Sequence, residues 1–251
     1  MPERRYLSGP VYYLLAALAL VGSWWGLSLG LHMAAFPDPA RTVAAFMHSW
    51  AQGLGSHTAV SARRVVLSLL LAVFSAVPAG LGLGQTKRAD RVLSPVIYLT
   101  YPVPKSVFLP VVMAVLGLGD TARVFLVWSV VFFQVLVAIR DASRSVSPQF
   151  LYSIRSLGAT RWDVFRHVVW PAVLPEVFTS LRVALGTAIA VLFLAETWAS
   201  DSGIGYFIML AWSRLAWDDM MAGVLAMGSL GMALYLLLDL LERRICRWRY
   251  L

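Results

Sequence analysis

The sequence predicts an all-α integral membrane bundle of about six transmembrane helices, with a pair of short helices on the cytoplasmic side. Three observations predict it. Hydrophobic residues make up 59% of the chain and charged residues only 14%, against about 25% in an ordinary soluble domain; with a mean hydropathy of +0.73 there is too little polar surface to solvate a globule of 251 residues. Second, the apolar runs are long. A hydrocarbon core of about 30 Å takes about 20 residues of helix, which pairs its own backbone, and the runs lack the two-residue alternation of barrel strands. Third, the basic residues are segregated. Arg4 and Arg5; Lys87, Arg88 and Arg91; Arg140 and Arg144; Arg155, Arg161 and Arg166; and Arg243, Arg244, Arg247 and Arg249 make 14 of the 21 Lys and Arg, all in one alternate set of segments. That set faces the cytoplasm, both termini with it, and the net charge of +8 needs no nucleic-acid partner. Arg63 and Arg64 run against the pattern, at the outer end of a span.

The first span, 11–31, follows Arg4 and Arg5 and so has the outline of a secretory signal. Its length and bulky Trp24 and Trp25 favour a retained span. Gly22, Gly26 and Gly30 recur every fourth residue, a face for close backbone approach. Asp38 and the helical stretch 39–50 are read as lying along the outer surface, completing an N-terminal region 1–58 ahead of a core, 59–251. The second span is 59–83. It ends in Gly80 to Lys87, "GLGLGQTK", which lacks the spacing GxxxxGK[ST] of a phosphate-cradling loop, so ATP hydrolysis by that route falls to another subunit.

The third span, 92–118, is interrupted by Pro102, Pro104 and Pro110, with Lys105 between them. A central charge costs about 2.5 to 3.5 kcal/mol on insertion scales and faces a cavity or a partner rather than lipid. A broken ladder is tolerated where backbone lines water or protein. Tyr101, Pro102, Pro104, Lys105 and Glu196 are therefore the candidate lining of a translocation pathway. Lys105 has three readings: it attracts an anion, pairs with Glu196, or snorkels to an interface.

The fourth span, 122–139, leads to a polar interruption. Ser147 and Pro148 open a helix running to about Leu157, and Gly158 ends it at a left-handed position. Thr160 and Asp163 form a capping box that opens a second short helix, and Pro171 and Pro175 set the entry to the fifth span, 171–195. Phe150, Ile154, Leu157, Trp162, Phe165 and Val168 give this finger, 148–169, one apolar stripe, which either lies on the membrane or bundle or docks on a soluble partner. Glu176 and Arg182 are six residues apart and off one face; Arg182 meets another helix or the cytoplasmic interface. Glu196, Asp201, Asp218 and Asp219 gather near the outer ends of the fifth span and the sixth, 220–241, with Gly203 and Gly205 permitting a tight turn. Without histidine spacing they read as caps and a docking rim, not a metal site. A single cysteine, Cys246, excludes an intrachain disulfide, and Ser202 beside Asp201 has no placed histidine to make a hydrolase.

Arg155 to Gly186, "RSLGATRWDVFRHVVWPAVLPEVFTSLRVALG", resembles the signature of permease subunits of binding-protein-dependent ABC importers. "YPVPKSVFLPVVMAVLGLGDTARVFLV" and "AETWASDSGIGYFI" resemble the nitrate, sulfonate and taurine branch. The resemblance implies the fold of a type I importer permease in the bacterial inner membrane, with 59–251 as its core. It implies that Tyr152, Arg155, Leu157, Gly158, Ala159, Trp162, Phe165 and Pro171 belong to coupling helices seated in a cytoplasmic ATPase. Tyr152, Ser153 and Ile154 stand where that family usually has Glu-Ala-Ala, which removes a carboxylate from the contact and leaves Arg155 more of the docking charge. The implied assembly is a permease homodimer with two ATPase subunits, which hold ATP and Mg, and an external binding protein that delivers a small, anionic solute. No cofactor is expected in this chain. An ion-coupled secondary transporter is the rival reading, but it wants inverted repeats with two broken spans, and one is found. An intramembrane enzyme is a more distant one.

Overall fold

The computed structural model describes residues 10–249; Arg4 and Arg5, on which part of the orientation argument rests, lie outside the described residues. Five helices are long and apolar enough to cross a membrane, and a sixth span is made of two pieces bent by 76°. Helix α1 is Pro10–Leu31, and α2, Pro39–Ser49, is capped at its start by Asp38, whose Oδ1 accepts from the Arg41 N–H at 2.9 Å. A π-turn at Trp50–Leu54, with Gly53 at φ 125°, carries the chain into α3, Gly55–Gln85. The broken span is α4, Lys87–Thr100, and α5, Leu109–Leu116, separated by Tyr101 to Pro104 and a single 3-10 turn. Then come α6, Asp120–Arg144; α7, Pro148–Ser156; α8, Arg161–Val164; and α9, Trp170–Thr197. The chain ends with α10, Ile204–Ser213, and α11, Trp217–Ile245.

The six expected spans are present, most with longer ends; the broken third starts earlier, at Lys87, and stops at Leu116 rather than 118. The sequence reading missed α10, whose 10 residues are too few for a span and too apolar for a loop. The second arm of the finger also differs from expectation. Instead of a separate helix ahead of a proline-set entry, α8 runs through a π-turn at Phe165–Val169 straight into α9, with Pro171 directly after that widened turn.

Helix α3 packs along α6, and α6 along α9; α10 and α11 close the other flank of α9, and α2 lies on α11. Val65, Ala72 and Ala76 of α3, Val127, Val131 and Val135 of α6, and Ala184, Ala188 and Leu192 of α9 form the centre of the core. The α3–α6 contact is close because of two glycines four residues apart. A Cβ at Gly80 would stand 2.9 Å from the Leu136 carbonyl oxygen, and one at Gly84 would stand 2.6 Å from Ser143 Cβ. The stretch that lacks a phosphate-loop spacing is thus a small-residue packing face. The Gly22, Gly26 and Gly30 face of α1 has no such partner: nothing lies within 4 Å of a Cβ built at any of them, and α1 touches chiefly α2.

Replacing Gly84 with valine forces a branched side chain against the Arg140 carbonyl oxygen, 2.8 Å from the Cβ position. The expected loss is about 1–3 kcal/mol of stability, from overpacking. Unfolding of the purified variant in detergent, compared with Gly82→Val, where nothing lies within 4 Å, checks it.

Candidate functional site

At one end of the bundle sits a buried ion cluster. The Arg64 side chain is 2% exposed and directs all five N–H groups at partners: Nε and Nη2 donate to Asp120 Oδ1 at 2.8 and 2.6 Å, Nη1 to Glu196 Oε1 at 2.7 Å and the Ser202 carbonyl at 2.9 Å, and Nη2 to Ser202 Oγ at 3.1 Å. Glu196 is fully buried. Its carboxylate also accepts from Ser61 Oγ at 2.8 Å and from the Gly205 N–H at 2.9 Å. Glycines 203 and 205 are there because Glu196 is: a Cβ at Gly203 would overlap the carboxylate, one at Gly205 would stand 2.7 Å from Glu196 Cβ, and Gly203 has φ 107°. Arg63 pairs with Asp120 as well. Nearby, Arg123 ties α6 to the carbonyls of Leu118 at 2.7 Å and Ala199 at 2.8 Å.

This cluster explains the two arginines that ran against the charge pattern, and it separates Glu196 from Lys105. Both oxygens of Glu196 are saturated inside the protein, and of the three readings of Lys105 the pairing with Glu196 is not made. The other acids also part company with it. Asp218 pairs with Arg41 at 2.9 Å, and Asp219 accepts from Ser49 at 2.7 Å, fastening the start of α11 to α2. Ser202 donates to Asp201 at 3.0 Å, while His57 Nδ1 accepts from the Gly203 N–H at 3.1 Å.

Lys105 has a different role. Its Nζ donates to the carbonyls of Thr100 at 2.6 Å and Tyr101 at 2.9 Å, so it caps the end of α4 where the ladder breaks, and it sits 4.6 Å from the Phe133 ring centre. Tyr101, Pro102, Pro104 and Lys105 are brought together around a recess of about 310 Å³, closed on its far side by α6 and α9.

The opposite end carries the finger. Ser147 Oγ accepts from the Gln149 N–H at 3.3 Å, α7 runs to Ser156, and Gly158 turns the chain at φ 82°. The Thr160–Asp163 capping box is complete: the Asp163 N–H donates to Thr160 Oγ1 at 3.2 Å, and the Thr160 N–H to Asp163 Oδ2 at 2.9 Å. The expected single apolar stripe is divided in two. Ile154, Phe165 and Val168 turn inward, whereas Phe150, Leu157 and Trp162 are 67%, 85% and 64% exposed; Tyr152, outside that stripe, is 69% exposed. Trp162 stacks on Phe165 at 5.4 Å between ring centres. Arg155 is exposed on α7, Ala159 packs against the core, and Pro171 lines a groove of about 1130 Å³ between α7, the end of α6 and the start of α9.

Two further buried pairs hold the finger's end of the bundle. Asp90 of α4 accepts from Arg140 and Arg144 of α6. Arg182 reaches Glu242 of α11, which also accepts from Arg249 at 2.6 Å. Glu242 and Asp90 escaped the sequence reading. Each stands next to basic residues, Glu242 before Arg243 and Asp90 before Arg91, which masked it as part of a charged end.

A bundle with one span broken around a recess, a buried ion cluster at one end and an exposed apolar finger at the other defines a polytopic membrane protein. Residues 65–248 match the family model described as the binding-protein-dependent transport system inner membrane component, and the chain belongs to that family. It is 33% identical over 195 residues to the taurine transport system permease protein TauC of Escherichia coli (strain K12), covering 78% of this chain and 71% of that one. It is 30% identical over 213 residues to the putative aliphatic sulfonates transport permease protein SsuC of the same organism, covering 84% and 81%. Among solved structures, one of the MetNI methionine ABC transporter, in an inward-facing conformation, has the same fold at a TM-score of 0.60 and 16% identity, over 77% of this chain and 94% of that one. The family is one of transport permease subunits, and its members work with an ATPase and a substrate-binding protein.

Replacing Arg64 with methionine leaves Glu196 charged, buried and unpaired, a loss of about 3–5 kcal/mol. Adding Glu196→Gln removes that orphaned charge and recovers part of the loss. Thermal unfolding of the two variants in nanodiscs measures the difference.

Proposed function

We propose that this chain is the permease subunit of an ABC importer for a small organic anion, with α7 and α8 as its coupling helices and the broken span as part of its pathway. The carrying observation is the pairing of family membership with the finger: four large apolar side chains stand exposed on a rigid, capped hairpin at the end where the basic residues gather. Such a patch marks a protein or membrane contact, and membership of a family that works with other subunits favours the protein. Leu157 and Trp162 are the anchors, and Tyr152 supplies an aromatic contact in place of a carboxylate. Gly158 holds the angle between α7 and α8 at φ 82°.

The assembly is a homodimer on two ATPase subunits, which hold ATP and Mg. Both termini and the finger face the cytoplasm, and an external protein delivers the cargo to the latched end. The similarity to permeases named for taurine and aliphatic sulfonates supports a solute that carries a sulfonate or similar anionic group.

The test is reconstitution with the cognate ATPase and binding protein in proteoliposomes. Trp162→Ala and Gly158→Val are each expected to lower ATP-driven uptake and ATPase copurification at least about tenfold, the first by removing an anchor and the second by straining a left-handed position at about 1–2 kcal/mol. Unchanged copurification and uptake in both variants overturns the coupling assignment.

A further inference from the structure

Helix α10 starts without a cap of its own. Gly203, the residue ahead of it, has no side chain, so the first backbone N–H groups need acceptors from elsewhere. Two other helices supply them. The Gly203 N–H donates to His57 Nδ1 at 3.1 Å and the Ile204 N–H to Ser61 Oγ at 2.8 Å, both acceptors standing on α3 one turn apart. The Gly205 N–H donates to Glu196 Oε2 of α9 at 2.9 Å. Three consecutive donors are thus met by three side chains, and the three are not alike. A serine hydroxyl does not titrate, and Glu196 is already paired with the Arg64 guanidinium at 2.7 Å. The histidine alone exchanges a lone pair for a proton in mild acid, at an ordinary pKa of about 6.5. A backbone N–H can only donate, so the contact requires the neutral imidazole with Nδ1 bare.

We propose that His57 is a proton-sensitive cap, which fastens the loop 198–203 and the start of α10 to α3 at neutral pH and releases them in acid. A proton on Nδ1 turns the acceptor into a donor and leaves the Gly203 N–H facing another N–H. It also puts positive charge at the positive end of the α10 dipole. The capped form excludes that proton and the released form accepts it, so acid favours release, and the cap is complete above the ordinary imidazole range. His57 is half-buried, within reach of protons from solution.

The groups facing His57 leave that sign unchanged. Glu196 of α9 attracts an imidazolium and Arg64 of α3 repels it, and the two are paired with each other. Asp120 of α6 is taken by Arg63 and Arg64, Asp201 of the loop accepts from Ser202 Oγ, and Tyr206 and Phe207 of α10 present rings at 5.6 and 5.9 Å. Release has a consequence beyond the loop. Ser202 gives Arg64 two of its acceptors, its carbonyl and its hydroxyl, so a loosened loop weakens the ion cluster that joins α3, α6 and α9. The chemistry of the cap does not depend on orientation; that the pH it senses is external rests on the orientation proposed above.

The experiment is hydrogen–deuterium exchange of the permease–ATPase complex in nanodiscs at about pH 7.5 and about pH 5.5, corrected for the intrinsic pH dependence of amide exchange. Protection of 198–205 is expected to fall about fivefold in acid, as for the loss of one hydrogen bond. His57→Asn places an amide oxygen where Nδ1 stands and does not titrate, and its loop is expected to stay protected at both pH values. His57→Phe keeps a ring against Tyr206 and Phe207 without an acceptor, and is expected to exchange at neutral pH as the unmodified chain does in acid. If His57→Phe fails to fold, the comparison of the unmodified chain with His57→Asn carries the test. Protection of the unmodified loop that is the same at both pH values, or that falls equally in His57→Asn, overturns the cap. In proteoliposomes, acid on the side opposite the ATPase is expected to release the loop. Release by acid on the ATPase side alone supports the cap and overturns the proposed orientation instead.

Discussion

Arg64 enters an apolar bundle with one charge and five N–H groups, and the elements around it are arranged so that each is met. Desolvating a guanidinium costs several kcal/mol, which close pairing offsets only when the geometry is complete. Completeness here takes Glu196 from the end of α9, Asp120 from the start of α6 and the Ser202 loop ahead of α10. Glu196 in turn requires glycine at 203 and 205, because any side chain at those positions would occupy its space. The ends of three long helices and one loop are therefore fixed by a single charge. A bundle whose helices are equally comfortable against lipid gains little register from apolar packing, and polar contacts of this kind supply it.

Only part of this was legible in the sequence. Spans, the broken helix and the finger follow from local patterns: run length, proline spacing, and the Ser147 and Thr160 caps. The ion clusters join residues distant in the chain, 50 positions for Arg140 with Asp90 and 132 for Arg64 with Glu196, and no local pattern reports such a pairing. The misfit of Arg63 and Arg64 with the charge distribution was the one available signal. A basic residue on the wrong side of a membrane is tolerated when an acid neutralises it, and Asp120 and Glu196 are those acids. Lys105 shows the complementary limit. Its location between prolines identified the break, but whether it answers a carboxylate, a ligand or free carbonyls depends on where α4 ends, and the backbone at Thr100 and Tyr101 decides it.

The two ends of α9 connect these observations. At about 1.5 Å per residue, its 28 residues span about 42 Å. One end grows out of α8 without a loop, and the other ends beside Glu196. A flexible joint after the finger would absorb any displacement locally; a continuous helix transmits it. On the proposed coupling, a push on the finger is carried along α9 past Thr187 and Val191, which wall the recess, toward Glu196. The ion cluster resists small displacements because its partners must separate together, each at the cost of exposing an unpaired buried charge. Under that coupling, the cluster separates as a unit rather than by degrees. On the proposed coupling, the energy that moves the finger is spent at the far end of the same helix.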